Sequence, residues 1–359
     1  MNLAYGLDME KSFDEVFSLQ KKIIKGIEVL MDVDDDGSDS TPKELVYEED
    51  KMKLYHYKPL TKTTCKVPTL IIYALVNRQY MMDIQQDKSV IKSLLEQGLD
   101  LFIIDWGYPT AEDRYLTMED YIEGYINNTV DFICKANKIE KINIIGVCQG
   151  GTFSAIYSAL HPDKVKSLVT MIAPIDFDTE EGLLFKWGKN LNIDSMVDAY
   201  GVIPGEIMNA GFIILKPFQL MIDKYIGALE NFDNPQKMSD FFRMEKWIFD
   251  SPGQAGETIR QFVNDLYKGN KLIKGELMIG DKLVDLKNIS MPLLNIYGEY
   301  DHLVPPSASK PLNEHIGSID KEMLSFPVGH IGMYVSSKAQ HEMATKIAKW
   351  IMEKSKKIN

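Results

Sequence analysis

The chain has 359 residues, three cysteines and a formal net charge of −12. That length suits one α/β domain with an added cap and an ample core, and the negative balance excludes nucleic acid as the main partner, because a phosphate backbone would be repelled. Cys65, Cys134 and Cys148 are odd in number and show neither paired spacing nor a Cys-x-x-Cys pattern, so a reducing cytoplasm is expected rather than a disulfide framework.

The N-terminal residues Met1 to Lys11 lack the basic start and apolar centre of a signal peptide. Residues 14–31 carry a helical stripe of Val16, Phe17, Leu19, Ile23, Ile24 and Ile27. The following Asp32-Val33-Asp34-Asp35-Asp36-Gly37 begins like a calcium loop, but the position that needs a glutamate is Lys43, with Glu44 one residue late. An acidic, solvated linker is therefore expected, and no metal site. Together, residues 1–45 read as an N-terminal helix and linker.

From Lys51 onward strands and helices alternate: strands Met52 to Tyr57, Thr69 to Leu75 and Asp100 to Ile104, with helices Lys88 to Gln97 and Met118 to Asn137. The apolar run Ile142 to Ile145 and a further helical pattern follow, then strands Ser167 to Ala173, Pro292 to Tyr297 and Glu322 to Phe326, and a closing amphipathic helix Ala339 to Lys354. This alternation predicts an α/β fold of the α/β-hydrolase type, a mostly parallel sheet with helices on both faces, over residues 46–175 and 286–359. Residues 176–285 are too long for an ordinary crossover and read as an inserted helical cap. Phe185, Trp187, Phe212, Phe218, Tyr225, Phe241, Phe242, Trp247 and Phe249 make it aromatic, and Pro204, Pro217, Pro235 and Pro252 punctuate it. Each aromatic taken singly is most simply core packing. The longest apolar stretch, Gly211 to Ile222, is interrupted by Lys216 and Pro217, so no membrane span is expected.

A free cysteine is most often a small buried hydrophobe. Cys148 stands in Gly146-Val147-Cys148-Gln149-Gly150-Gly151, between a strand and a helix, and the small flanking residues reverse that reading. This is the setting of a nucleophile elbow, with a thiol where the usual form has a hydroxyl. Such an elbow requires an acid and then a histidine later in the chain. Asp301, in Gly298-Glu299-Tyr300-Asp301-His302 after a buried strand, is the preferred acid, with Glu299 as competitor and Pro305 and Pro306 closing the loop. A solvated loop carboxylate is the plainer alternative. His330, between Gly329 and Ile331-Gly332 past the last strand, is the candidate base. His56, His161, His315 and His341 fit ordinary structural positions, and His302 is ambiguous beside the acid. Val76 follows the strand that should precede an oxyanion loop, so its backbone N–H is a candidate donor. Trp106, in Asp105-Trp106-Gly107 at a strand end, is either a pocket wall or a packing residue.

Gly146-Val147-Cys148-Gln149-Gly150-Gly151, Asp105-Trp106-Gly107, Gly298-x-x-Asp301-His302 and Gly329-His330-Ile331-Gly332 together resemble the polyhydroxyalkanoate synthase family, from about Thr41 to the C-terminus. The elbow alone is also found in dienelactone-type hydrolases. The length and the Val-Cys-Gln elbow are most similar to the catalytic subunit of the short, two-subunit type. The resemblance implies polymerisation of 3-hydroxyacyl-CoA into a polyester with release of CoA, without a separate cofactor. Cys148 would take the acyl group with His330 as base, the N–H groups of Gln149 and Val76 would hold the oxyanion, and Asp301 would also help activate the hydroxyl that attacks next. A second, non-catalytic subunit, homodimerisation and a place at the surface of the cytoplasmic polyester granule are likewise implied. CoA is anionic, so a local basic patch is needed; Arg78, beside the oxyanion loop, is a candidate. Two other readings stay open: a cysteine-dependent thioesterase or lactone hydrolase, and a non-catalytic granule scaffold.

Overall fold

The computed structural model describes residues 41–215, 222–232 and 234–356. The helix expected over 14–31, the acidic run Asp32 to Asp39, and Lys216, Pro217 and Phe218 lie outside the described residues.

Eight strands form one sheet: β1 Lys43–Glu49, β2 Met52–Tyr57, β3 Thr69–Ile72, β4 Leu101–Asp105, β5 Ile142–Val147, β6 Val165–Met171, β7 Leu293–Gly298 and β8 Lys321–Phe326. Their order is β1-β2-β4-β3-β5-β6-β7-β8. β1 and β2 pair antiparallel, as do β2 and β4; every other neighbour is parallel. The central strands are buried along their whole length, as expected where helices cover both faces. Because β4 lies on one side of β3 and β5 on the other, the chain turns in opposite directions there. The crevice at the C-terminal ends of β3 and β5 is thus the natural ligand position of an open α/β sheet.

Helices α1 Val90–Glu96, α2 Asn127–Asn137, α3 Gln149–Leu160 and α4 Ser337–Lys356 surround the sheet. Ser89 caps α1 by accepting from Lys92 N at 2.8 Å. The single helix expected over 118–137 begins instead with a wide π-helical segment, Asp120–Ile126, which buries Tyr121, Ile122, Tyr125 and Ile126.

Strand β1 falls partly where the linker was expected. Its register shifts between Leu45 and Tyr47, and this bulge lets consecutive Val46 and Tyr47 both pack on the core. A period-two pattern cannot reveal such a strand, because the bulge changes its phase. Just before it, buried Thr41 bonds Asp83 through its N at 3.1 Å and its Oγ1 at 3.0 Å.

The chain divides into two compact units: residues 39–208 and 251–359 form the unit that contains the sheet, while Asn209–Asp250 falls in the other. The stretch 176–285, expected as one cap, is thereby divided. Its two ends join the sheet unit because their aromatic residues pack there. Phe177 meets Phe185, Phe262 and Tyr267 at 5.8, 5.7 and 4.9 Å between ring centroids, and Phe262 meets Phe153 of α3 at 6.1 Å. A two-stranded ribbon, Val202–Ile203 with Gln254–Ala255, ties these ends together. In the other unit, helices Lys224–Glu230 and Pro235–Phe249 are joined by Glu245, which takes Lys224 Nζ at 2.6 Å and Tyr225 Oη at 2.7 Å.

Candidate active site

β5 ends at Val147, and Cys148 follows with φ 54° and ψ −125°. This is a strained conformation for a side-chain-bearing residue, the kind held at functional turns. Its carbonyl accepts from Gly151 N at 2.8 Å and Thr152 N at 3.3 Å, so Cys148 opens α3. The end of β3 passes directly against this turn and leaves no room for a side chain at position 150. A β-carbon on Gly150 would lie 2.2 Å from the Ile72 carbonyl oxygen and 2.5 Å from that of Tyr73.

Asp301 sits in the loop after β7 with its side chain fully buried. Oδ1 accepts from Leu303 N and Val304 N, both at 2.9 Å. Oδ2 lies 2.7 Å from His330 Nδ1. Glu299, the competing acid, instead accepts from Ser325 Oγ at an exposed position. His330 is buried in the loop after β8. With Nδ1 directed to Asp301, Nε2 is left for Cys148. Burial alone would lower the imidazole's proton affinity, but Asp301 and the Cys148 sulfur together outweigh it and push the pKa up to about 10. The three residues that the sequence reading singled out on separate loops are thus brought together.

Gln149 contributes the first peptide of α3, and its side-chain Oε1 accepts from Leu75 N at 3.2 Å. Val76 follows in the loop after β3, next to Asn77, whose φ is +61°. Arg78 pairs with Asp105 at 2.8 Å and lies over the Tyr108 ring, 4.3 Å from its centroid. Trp106 is buried, packs edge-on against Tyr121 at 5.4 Å and donates from Nε1 to the Tyr73 carbonyl at 2.9 Å. This bond ties Trp106 to the residue that follows β3. His302 is half-buried beside Asp301. Of the other histidines, His56 bonds Asp100 at 2.7 Å, His161 bonds Glu123 at 2.9 Å and His315 bonds the Pro311 carbonyl at 2.9 Å. Among the described residues, no cluster of His, Cys, Asp and Glu could hold a metal ion, and no helix is long and apolar enough to cross a membrane.

The sequence matches the alpha/beta hydrolase fold family over residues 70–337. It also matches the family described as poly-beta-hydroxybutyrate polymerase (PhaC) N-terminus over residues 36–94. It is 51% identical over 347 residues to the poly(3-hydroxyalkanoate) polymerase subunit PhaC of Thiocystis violacea, covering 96% of this chain and 98% of that one. The chain belongs to the poly(3-hydroxyalkanoate) polymerase family. A polymerase subunit of the same description from Synechocystis sp. is 50% identical, with 96% of this chain and 94% of the other covered. The fold of this polymerase-family chain is shared with a putative lipase from Sulfolobus solfataricus at a TM-score of 0.56 and 15% identity, over 89% of this chain and 98% of that one. A monoacylglycerol lipase from Paleococcus ferrophilus gives 0.53 and 16%, over 87% and 99%.

Several residues of the site region escaped the sequence reading. Tyr73, just past β3, and Tyr334, four residues after His330, are both buried, with ring centroids 6.2 Å apart. Burial is the main reason that both phenols hold their protons far above the ordinary range, and Cys148 adds to it. They are therefore neutral. Tyr267 is raised in the same way. Gln254, in the ribbon, donates from Nε2 to the Leu75 carbonyl at 3.0 Å. Tyr334 had a faint signal, its spacing from His330; Gln254 had none, because only the tertiary fold brings it to β3.

Proposed function

We propose that this chain polymerises (R)-3-hydroxyacyl-CoA, with 3-hydroxybutyryl-CoA as the expected substrate, into polyhydroxyalkanoate through an acyl thioester on Cys148. The observation that carries the reading is a thiol on the nucleophile elbow, beside a buried His330–Asp301 pair, in a chain half identical to named polymerase subunits.

In the first half-reaction the pair's proton already rests on His330, whose raised pKa favours the imidazolium, and the Cys148 sulfur attacks C1 of the acyl-CoA thioester. The bond from C1 to the CoA sulfur breaks, and the departing thiolate takes the proton from His330. Attacking and leaving sulfur are of similar basicity, so this exchange is close to balanced in free energy. In the second half-reaction a chain hydroxyl gives its proton to His330 and attacks the acyl-Cys148 carbonyl. The ester forms as the carbon–sulfur bond breaks, and the Cys148 thiolate and imidazolium are restored. The Gln149 and Val76 N–H groups would receive the oxyanion in both steps.

No cofactor enters this scheme, since CoA is part of the substrate. Asp301 orients the imidazole in this reading, because its side chain is fully buried and held by Leu303, Val304 and His330. Trp106 supports the site through Tyr73, and Arg78 with Asp105 steadies the loop after Val76. The word "subunit" in the relatives' names supports a second synthase subunit. Homodimerisation and a cytoplasmic place at the granule surface remain part of the proposal.

The test is CoA release from 3-hydroxybutyryl-CoA by the purified chain, with the acyl product sized and Cys148→Ala as control. Sustained release with insoluble polyester is the expected result. Release of monomeric hydroxy acid alone would replace the synthase by a hydrolase. Silence, even with a candidate second subunit added, would leave a scaffold.

A further inference from the structure

The peptide between Leu75 and Val76 presents the candidate oxyanion donor. In a trans peptide the carbonyl and the N–H lie in one plane and point in opposite directions, so fixing one fixes the other. The Leu75 carbonyl accepts from Gln254 Nε2 at 3.0 Å, and the preceding N–H, that of Leu75, donates to Gln149 Oε1 at 3.2 Å. One glutamine comes from the elbow itself; the other comes from the inserted stretch, 179 positions further along than Leu75. Gln254 is 3% exposed, so its amide faces no competition from bulk water. One residue past Val76, Asn77 Nδ2 donates to Ser251 Oγ at 2.7 Å.

The ribbon that supplies these groups is itself anchored. Gln254 and Ala255 pair with Ile203 and Val202, and a β-carbon on Gly205 would lie 2.0 Å from the Ser251 carbonyl oxygen. Residues 251–254 therefore hold the loop after β3 at two points from a fixed strand.

We propose that Gln254, assisted by Ser251, is a positioning residue that aims the Val76 N–H at the developing oxyanion. It touches neither substrate nor nucleophile. Its contribution exists only as negative charge forms on the acyl oxygen, so it acts on the rate of acyl transfer and leaves ground-state binding unchanged. The inference rests on the proposed acylation of Cys148.

The experiment measures single-turnover acylation of Cys148 by 3-hydroxybutyryl-CoA, followed by mass, as a function of substrate concentration. Gln254→Met keeps the length and removes the donor; Ser251→Ala weakens the second anchor and provides an independent variant. We expect the limiting acylation rate to fall about tenfold to a hundredfold in Gln254→Met, less than for outright loss of an oxyanion donor, with half-saturation changed less than about twofold. Ser251→Ala should show a smaller loss of the same kind. An unchanged limiting rate in folded Gln254→Met would overturn the proposal, as would losses in half-saturation and melting temperature that account for the whole effect. Failure of the wild-type chain to form acyl-Cys148 would overturn the proposed function instead.

Discussion

His330 Nδ1 lies 2.7 Å from Asp301 Oδ2 although the two residues sit on loops after different strands. The loops are joined by backbone bonds as well: Glu299 N donates to the Phe326 carbonyl at 2.8 Å and Tyr300 N to the Val328 carbonyl at 3.2 Å. The parallel pairing of β7 with β8, which sets Gly298 against Phe326, therefore sets the distance between the Asp301 carboxylate and the His330 imidazole.

A pH dependence of stability follows. The folded-state pKa of His330 is raised to about 10, above the ordinary value of about 6.5. Its contribution to stability should be fully present below about pH 6.5 and disappear as the pH rises through about 10. Melting curves of the wild type and His330→Gln should thus converge between those limits; a constant difference would contradict the raised value.

Removal of the thiol in Cys148→Ala should lower CoA release by at least about 10⁴-fold, because partners that act as a unit cannot substitute for the nucleophile. In His330→Gln the acylation rate should fall by about 10²- to 10⁴-fold, the usual loss of a general acid–base. Rapid-quench assays of CoA release measure both, and a wild-type rate in either variant would move the role to another residue.

Asp301→Asn separates orientation from direct activation of the hydroxyl. The side chain is fully buried and held by three bonds, so comparable losses are expected in acylation and in chain growth. A loss confined to chain growth, seen as a normal first release of CoA and no polymer, would show that the chain hydroxyl reaches the carboxylate.

Gly150→Ala tests the contact between the elbow and β3. Its β-carbon would collide with the Ile72 and Tyr73 carbonyl oxygens, with a cost of about 1–3 kcal/mol for overpacking. Denaturant titration should show that loss, accompanied by slower acylation as the Cys148 turn is displaced.

Arg78→Ala leaves the Asp105 carboxylate without its ion pair at a site where the two side chains are 12% and 11% exposed. A destabilisation of about 3 kcal/mol is expected, since breaking a largely buried pair strands a charge. If half-saturation by acyl-CoA rises while the unfolding free energy is unchanged, Arg78 serves the anionic substrate rather than the loop.

Much of the sheet was legible because its central strands are apolar runs bounded by turns, interrupted in the third only by the buried Asn143. Leu70 to Ile72, Leu101 to Ile104 and Ile142 to Ile145 are each buried in full. The strand-to-helix turn at Cys148 was legible because its backbone path demands small residues at fixed spacing around that position. Cys148, Asp301 and His330 could be named from their positions after such strands. The bulged edge strand Lys43–Glu49 and the π-helical start at Asp120 were not, since both depart from the period on which pattern reading depends.

The sequence by itself determined the α/β alternation and the residue types at the strand ends, since these depend on local periodicity and turn chemistry. Only the tertiary structure decided which side chains meet. It set Asp301 rather than Glu299 on His330, bonded Trp106 to the Tyr73 carbonyl, gave Arg78 to Asp105 and divided the insertion between two units. It also brought Gln254 to the Leu75 carbonyl. The physical reason is that such hydrogen bonds and ion pairs join segments far apart in the chain, and their partners follow from strand order and packing, which no local pattern encodes.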